Sequence, residues 1–200
     1  MIDVNKTEAK EEMMNTEFSD LDSVLWAKEA ILELAGKGII NGVGDNRFDP
    51  NKNVTRAEFL KMLVCAFDFT DNSAECSFDD VIKGEWYYPY IATAEKLGIT
   101  GGIGENKFGT STYITRQEMA VMIHRAAVRA YLPVTDKKGE EFSDDSEIAD
   151  WAKRSVSLMR GAGIINGVGD NYFSPNSGAT RAQAAKMIYE LYQKSEIRNP

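Results

Sequence analysis

Cysteine and histidine are scarce in this sequence of 200 residues, which holds two cysteines and one histidine. Cys65 and Cys76 are too few for a disulfide-rich scaffold, and we expect free thiols rather than the single bridge they could form. His124 has no readable orienting partner, which a catalytic base needs, so we expect it at the surface or at a boundary. The sequence therefore predicts no disulfide framework and no catalytic residue.

Long apolar runs and an excess of positive charge are missing as well. No run of about 18 apolar residues is present, so we expect no membrane insertion. The 23 basic residues against 31 acidic ones give a net charge of -8, which disfavours nucleic acid and anionic membranes as partners. Residues 1–17 lack the apolar stretch of a secretory signal peptide and are expected to form a flexible polar leader. The apolar share of 43% is enough for a buried core.

The same pattern of residues occurs three times. Each copy opens with a Phe and an Asp two positions apart and continues with a Trp. A Gly-Ile pair begins 12 residues after that Trp, and a Thr-Arg pair begins 17 residues after that Gly. The pattern predicts repeats at 18–69, 78–131 and 142–193, separated by short linkers near 69–77 and 131–141.

Each copy predicts two helices joined by a glycine-rich loop. The second helix has apolar residues at i, i+3, i+4 and i+7 spacing, starting at Phe59, Met119 and Ala184. Trp26 begins a similar stripe in the first helix, and Gly38 fits the left-handed position after its end. One such helix pair cannot bury its apolar face alone, and neither end copy has a polar cap. We therefore predict an all-α fold in which three helix-loop-helix repeats close into one pseudo-threefold domain.

Each second helix is predicted to begin with a capping box. In this motif the Thr hydroxyl accepts an N–H of the first turn, while a Glu or Gln side chain accepts the N–H of the Thr. Gln takes the place of Glu in the third copy. The residues concerned are Thr55, Glu58, Thr115, Glu118, Thr180 and Gln183.

An arginine follows the capping threonine in every copy, as Arg56, Arg116 and Arg181. A cation at this position faces the positive end of the helix dipole, which costs about 0.3–1 kcal/mol when it is exposed. Either a salt bridge holds the arginine, or it forms an anion site together with the free helix N–H groups. The two interpretations are compatible. The candidate acids for the salt bridge are Asp20, Asp80 and Asp144.

The tryptophans and one glycine of each loop have both a structural and a binding interpretation. A tryptophan at a helix start is often part of the core, but a half-exposed one offers a flat face to a sugar ring. A glycine permits a sharp turn or the close approach of a ligand. These residues are Trp26, Trp86, Trp151, Gly42, Gly102 and Gly167.

The first loop resembles a calcium-binding loop only superficially. Counted from Asp45, the twelfth position is Arg56, where an EF-hand has a Glu ligand. We therefore expect no metal site and no cofactor.

The repeated motifs resemble those of the S-layer homology family. That family's repeat opens with F-x-D and W-A, continues through G-I-I-x-G and G-x-F-x-P, and ends in I-T-R-A-E. The first copy here has FSDLDSVLWAKEAI, GIINGVGDNRFDP and VTRAEF, and the resemblance extends over residues 18–193. It implies a non-catalytic module outside a bacterial cell, which anchors a surface protein to a secondary cell-wall polysaccharide carrying a pyruvate ketal.

The resemblance also implies where the polysaccharide binds. The family folds as a pseudo-trimer of helical lobes with ligand grooves between adjacent lobes, which predicts that one chain suffices as a monomer. The implied contacts are the motif arginines, then the tryptophans, then the loop glycines. In this sequence they are Arg56, Arg116, Arg181, Trp26, Trp86, Trp151, Gly42, Gly102 and Gly167.

Two departures from the family pattern bear on the site. Gln183 in place of Glu is expected to weaken an ion pair that holds Arg181. The altered loop of the second copy, at 98–110, is expected to weaken its groove, so Arg56 should matter more than Arg116. Two rival functions stay open: a protein–protein module of a surface lattice, and a glycan-acting enzyme.

Overall fold

The computed structural model of the chain describes residues 17–133 and 139–196. Apart from residue 17, the expected leader lies outside the described residues, as do residues 134–138 of the second predicted linker.

Within these ranges the chain forms six α-helices, and the only β pairing there is isolated bridges. The helices are α1 Leu25–Gly36, α2 Arg56–Ala66, α3 Tyr88–Lys96, α4 Arg116–Arg129, α5 Asp150–Gly161 and α6 Arg181–Glu196. Short 3-10 helices precede α1 at Asp22–Val24 and α5 at Asp145–Glu147. The all-α prediction is confirmed, with two helices in each repeat.

Helices of different repeats pack against one another. The first helices of the second and third repeats pack on the second helix of the preceding repeat, α3 on α2 and α5 on α4. The first helix of the first repeat, α1, packs on the last helix of the third repeat, α6. The three second helices, α2, α4 and α6, also contact each other. These are the contacts that a closed arrangement of three lobes requires. Pseudo-threefold closure into one cooperative unit stays a prediction, which the deletion proposed in the Discussion tests.

The second helices supply much of the core, together with one phenylalanine from each loop. Phe48, Phe108 and Phe173 are fully buried. Each contacts the phenylalanine that opens its own repeat, at ring-centroid distances of 5.5, 5.9 and 5.2 Å. The spacing of these aromatic residues in the sequence is therefore explained by packing of the loop against the start of the repeat.

All three predicted capping boxes are present. The Thr hydroxyl accepts the N–H of the residue three positions on, at 3.2, 3.4 and 3.3 Å in α2, α4 and α6. The carboxylate or amide oxygen accepts the threonine N–H in return, at 2.8, 2.8 and 3.2 Å. Gln183 therefore performs the capping role of Glu58 and Glu118, at a slightly longer distance.

Both cysteines are free thiols, as expected. Cys65 lies in α2 and Cys76 lies between α2 and α3, and both are half-buried. Burial raises the pKa of the Cys76 thiol to about 11. It is therefore protonated and weakly nucleophilic at neutral pH.

Candidate functional site: three grooves between repeats

Three grooves of similar make-up lie where the repeats meet. In each, one repeat supplies the motif arginine, the next supplies its loop and second helix, and the third supplies a tryptophan. We name them the Arg56, Arg116 and Arg181 grooves, with volumes of about 400, 500 and 280 Å³. Their predicted residues group as Arg56 with Gly102 and Trp151, Arg116 with Gly167 and Trp26, and Arg181 with Gly42 and Trp86. No single repeat contains a complete groove.

The motif arginines are buried structural links between repeats. Arg56, Arg116 and Arg181 are only 2%, 4% and 9% exposed. Each Nε donates to the backbone carbonyl of the loop phenylalanine in the next repeat, at 2.9, 2.7 and 2.8 Å. Each guanidinium also lies over that phenylalanine ring, 5.0, 5.0 and 4.4 Å from its centroid. These contacts offset the unfavourable helix dipole and explain why arginine recurs there.

Asp20, Asp80 and Asp144 hold the loops and not the arginines. Their two carboxylate oxygens accept two successive backbone N–H groups at the end of each loop, at 2.7–2.9 Å. Among the described residues, no ion pair joins any of them to a motif arginine. The salt-bridge interpretation based on these aspartates is therefore wrong. At Asp80 burial raises the pKa, but the N–H bonds outweigh it, and the pKa lies below its usual range.

The acid that does meet an arginine comes from the capping box of the next repeat. Glu118 forms an ion pair with Arg56, with 2.7 Å between Oε1 and the guanidinium nitrogen Nη1. The corresponding residue in the Arg116 groove is Gln183, which carries no charge. The expectation that Gln183 weakens the hold on Arg181 is therefore wrong, because Gln183 lines the Arg116 groove and Glu58 lines that of Arg181.

The other two motif arginines direct their remaining guanidinium bond to a backbone carbonyl and not to a carboxylate. Arg116 and Arg181 donate from Nη2 to the backbone carbonyls of Asn166 and Asn41, at 3.1 and 2.8 Å. Burial lowers the pKa of Arg116 to about 10, and the charge of Asp144 behind the loop opposes that shift. Arg116 is thus still a cation at neutral pH.

The three tryptophans lie at the groove walls and are exposed, so the core interpretation is wrong. Trp26, Trp86 and Trp151 are 54%, 50% and 59% exposed. Trp26 and Trp151 lie in the first turns of α1 and α5, whereas Trp86 lies just before α3. A flat apolar face is therefore presented beside each buried cation.

The loop glycines are required by the loop itself. A Cβ on Gly42, Gly102 or Gly167 would lie 2.5–2.7 Å from the backbone oxygen five residues on. The intervening turn reverses the chain with positive φ at two consecutive residues, such as Asp45 and Asn46 with φ of 50° and 52°. The turn interpretation explains these glycines, and their contact with a ligand stays a prediction.

Further groove residues escaped the sequence analysis. They come from the face of the second helix three and four positions after the capping Glu or Gln. The repeat register, applied to that face, could have found them. They are Lys61 and Met62, Val121 and Met122, and Lys186 and Met187.

His124 lies at a boundary, as predicted. Its ring is half-buried, and Nδ1 lies 3.0 Å from the hydroxyl of Ser155 on α5. In the described part of the chain no group of three or more His, Cys, Asp or Glu side chains is placed to hold a metal ion. Within residues 17–133 and 139–196, no helix is long and apolar enough to cross a membrane.

Three helical repeats with a groove at every junction define a tandem-repeat domain whose grooves pair a buried cation with an aromatic wall. Comparison with known families agrees with this description. The S-layer homology domain matches at residues 17–60, 77–120 and 141–185, and the chain belongs to that family.

Curated relatives fall into two groups, enzymes and S-layer proteins. An amylopullulanase of Thermoanaerobacterium thermosulfurigenes is 42% identical over 85% of this chain, which spans 9% of that protein. The exoglucanase XynX of Acetivibrio thermocellus is 41% identical over 85% of the chain, 16% of its own length. The S-layer protein sap of Bacillus anthracis is 33% identical over 86% of the chain and 20% of its own length.

The shared segment is thus a small part of each relative. The enzyme names belong to proteins in which this segment is 9–16% of the length, so they assign no catalysis to it. S-layer homology domains anchor proteins to the cell wall. The chain is accordingly a cell-wall anchoring domain at the cell surface that binds a cell-wall polymer.

Proposed function

We propose that this domain binds a secondary cell-wall polysaccharide carrying pyruvate ketals, and that the polysaccharide lies in the grooves between repeats. The observation that carries the proposal is that every groove pairs a buried arginine with a half-exposed tryptophan. A pyruvylated sugar has the two matching features, one carboxylate and one apolar ring face.

Burial makes the arginine effective toward such a ligand. Water competes weakly around a guanidinium that is at most 9% exposed, so a carboxylate entering the groove gains a charge-assisted hydrogen bond. The Nε position is already bonded to the loop carbonyl, which fixes the orientation of the group. The net charge of -8 disfavours long-range attraction of an anionic polymer, so recognition depends on these local contacts.

Titration calorimetry with wall polysaccharide stripped of protein tests the proposal. We expect binding of the pyruvylated polymer and a large loss of affinity for the same polymer after chemical removal of the ketal. Equal binding of both polymers would exclude the carboxylate as the recognised group. Sedimentation of the free protein checks the expectation that the domain is a monomer.

The S-layer relatives favour one alternative, a protein–protein contact within a surface lattice. That function requires no polysaccharide, so failure to bind purified polymer, together with self-association, would support it. Turnover of wall glycan in a hydrolysis assay would instead support the enzymatic alternative.

A further inference from the structure

The three grooves share one architecture but differ in charge. In the Arg56 groove, Glu118 forms its ion pair at 2.7 Å with an arginine side chain that is 3% exposed, while the Glu118 side chain itself is 23% exposed. Arg125, on the same helix as Glu118, is a second cation in this lining and donates to the backbone carbonyl of Ile99 at 3.3 Å. An anion entering this groove meets an Arg56 guanidinium that is already paired with Glu118. It also approaches a carboxylate that repels it.

The lining of the Arg116 groove also has two cations, but among the described residues it contains no carboxylate. Gln183 occupies the position of Glu118, and its amide oxygen accepts the capping N–H of Thr180. Lys186 is the second cation, and it forms an ion pair with Glu190 at 2.6 Å, one turn further along α6. Asp144 lies behind the loop with both oxygens bonded to backbone N–H groups. In the described part of the chain, the guanidinium of Arg116 bonds only to the uncharged backbone carbonyls of Phe173 and Asn166.

The Arg181 groove is intermediate. Glu58 and Lys61 both line it, but no ion pair joins Glu58 to Arg181. The negative charge of Glu58 nevertheless lies close enough to oppose the lowering of the Arg181 pKa by burial.

From these differences we infer that the Arg116 groove is the primary site for the anionic group of the ligand. The third position of the second helix separates the grooves: it is Gln183 in the Arg116 groove and a glutamate, Glu118 or Glu58, in the other two. The inference rests on the proposed function, since it names which groove takes the carboxylate. It reverses the sequence-based expectation that Arg56 matters more than Arg116.

The three tryptophans allow each groove to be observed separately, because each groove contains one of them. The probe is N-acetylmannosamine carrying a pyruvate ketal, and the control is the same sugar without it. The indole N–H signals in ¹H–¹⁵N spectra are assigned with single Trp→Phe variants. As the sugar is added, we expect the Trp26 signal to shift first. The sugar concentration at half of the full shift, the midpoint, should be at least about tenfold lower for Trp26 than for Trp151.

Two reciprocal variants test whether the residue at the third position of the second helix, Glu118 or Gln183, decides which groove binds more tightly. Gln183→Glu should raise the Trp26 midpoint by about tenfold or more. It rebuilds the Thr-x-x-Glu capping box of the other repeats, so its melting temperature should not fall. Glu118→Gln should lower the Trp151 midpoint, because it frees Arg56 from its ion pair. Melting curves of both variants confirm that each is folded.

The outcomes separate this inference from the proposed function. If the polymer binds but the three indole midpoints coincide, or Gln183→Glu leaves the Trp26 midpoint unchanged, the groove order is overturned and the anchoring proposal stands. If neither the polymer nor the sugar probe binds the wild-type domain, the proposed function fails and the inference with it.

Discussion

The Arg56 and Arg116 grooves are built alike but differ in the charges that surround the buried arginine. In both, a buried arginine crosses from one repeat to the loop of the next and lies over a phenylalanine ring. A tryptophan of the third repeat forms the wall of each groove. Yet the helix position facing the arginine is Glu118 in one groove and Gln183 in the other.

This comparison shows that a repeated residue need not have a repeated function. All three motif arginines satisfy a loop carbonyl, so the fold alone accounts for their presence. Their availability to an anion depends instead on a neighbour that can change without loss of the capping hydrogen bonds. Four predictions, from the largest expected effect to the smallest, test how far the two grooves share a scaffold and differ in chemistry.

Deletion of residues 142–200 should abolish both grooves and the fold. It removes α5 and α6, which pack on α4 and α1, and it removes one wall from every groove. We expect the wild type to melt in a single cooperative transition by circular dichroism and the truncated chain to show none. A protease-resistant, folded fragment 1–135 would contradict closure into one unit.

Replacement of the arginines should separate the shared structural role from the unequal binding role. Arg56→Ala and Arg116→Ala each leave a loop carbonyl without its donor, so both should lower the melting temperature by similar amounts. Affinity for the pyruvylated polymer should fall about tenfold to a hundredfold for Arg116→Ala. We expect a much smaller loss of affinity for Arg56→Ala.

Each variant serves as the stability control for the other. Arg116→Lys should recover only part of the affinity, because lysine lacks the planar fork that donates to the loop and to a ligand at once. Full affinity in Arg116→Ala, measured by calorimetry on folded protein, would show that this arginine only links repeats.

The helices, the capping boxes and the three-repeat organisation could be predicted because they depend on local sequence. The spacing of the apolar residues identifies the buried face of each helix. A Thr with Glu or Gln three residues later provides hydrogen-bond partners for the N–H groups at the start of the same helix. The partners of the arginines could not be predicted in the same way. Arg181 bonds to the carbonyl of Phe48, 133 residues away, and nothing in the local sequence identifies a backbone acceptor at that distance.

The error over Gln183 has the same cause. Within one repeat, Gln183 and Arg181 are neighbours in sequence, which suggested that they interact. Each motif arginine extends into a neighbouring repeat. The capping residue that it meets there therefore belongs to that neighbour and not to its own repeat. The role of the exposed tryptophans is likewise undetermined by the sequence, because helical spacing cannot distinguish a core stripe from a groove wall supplied to a neighbouring repeat.

The loop aspartates should show how strongly each groove depends on its loop. Asp144→Asn and Asp80→Asn each replace one acceptor oxygen by an NH₂ group facing a backbone N–H. We expect a loss of about 1–3 kcal/mol in the free energy of unfolding. The loss should be larger for Asp144, which is 4% exposed, than for the half-buried Asp80.

Asp145→Asn is the matched control for this pair. Asp145 is the next residue, and its carboxylate makes a long contact of 3.9 Å with Lys153 at the surface. Its replacement should change the free energy of unfolding by about 0–1 kcal/mol. Urea unfolding of the three variants measures all of these values, and equal losses at Asp144 and Asp145 would contradict the loop-holding role.

The smallest expected effect concerns pH and the interface between α4 and α5, the two helices that both contribute residues to the Arg56 groove. His124 faces Ser155 across it, and the repeat register places Val64 and Tyr189 at the equivalent positions, so this interface differs from the other two. Burial and the nearby charges of Arg154 and Arg125 lower the pKa of His124 below 6.5. The unfolded chain therefore binds the proton more readily than the folded one.

The contribution of neutral His124 to the free energy of unfolding should be fully present above about pH 6.5. It should be lost as the pH drops towards the lower pKa of the folded state. Most carboxylates titrate below this window, and His124→Gln, which retains a hydrogen-bonding side chain, should flatten the slope of unfolding free energy between about pH 5 and 7. If wild type and variant have the same slope in that range, protonation of His124 does not oppose the packing of α4 on α5.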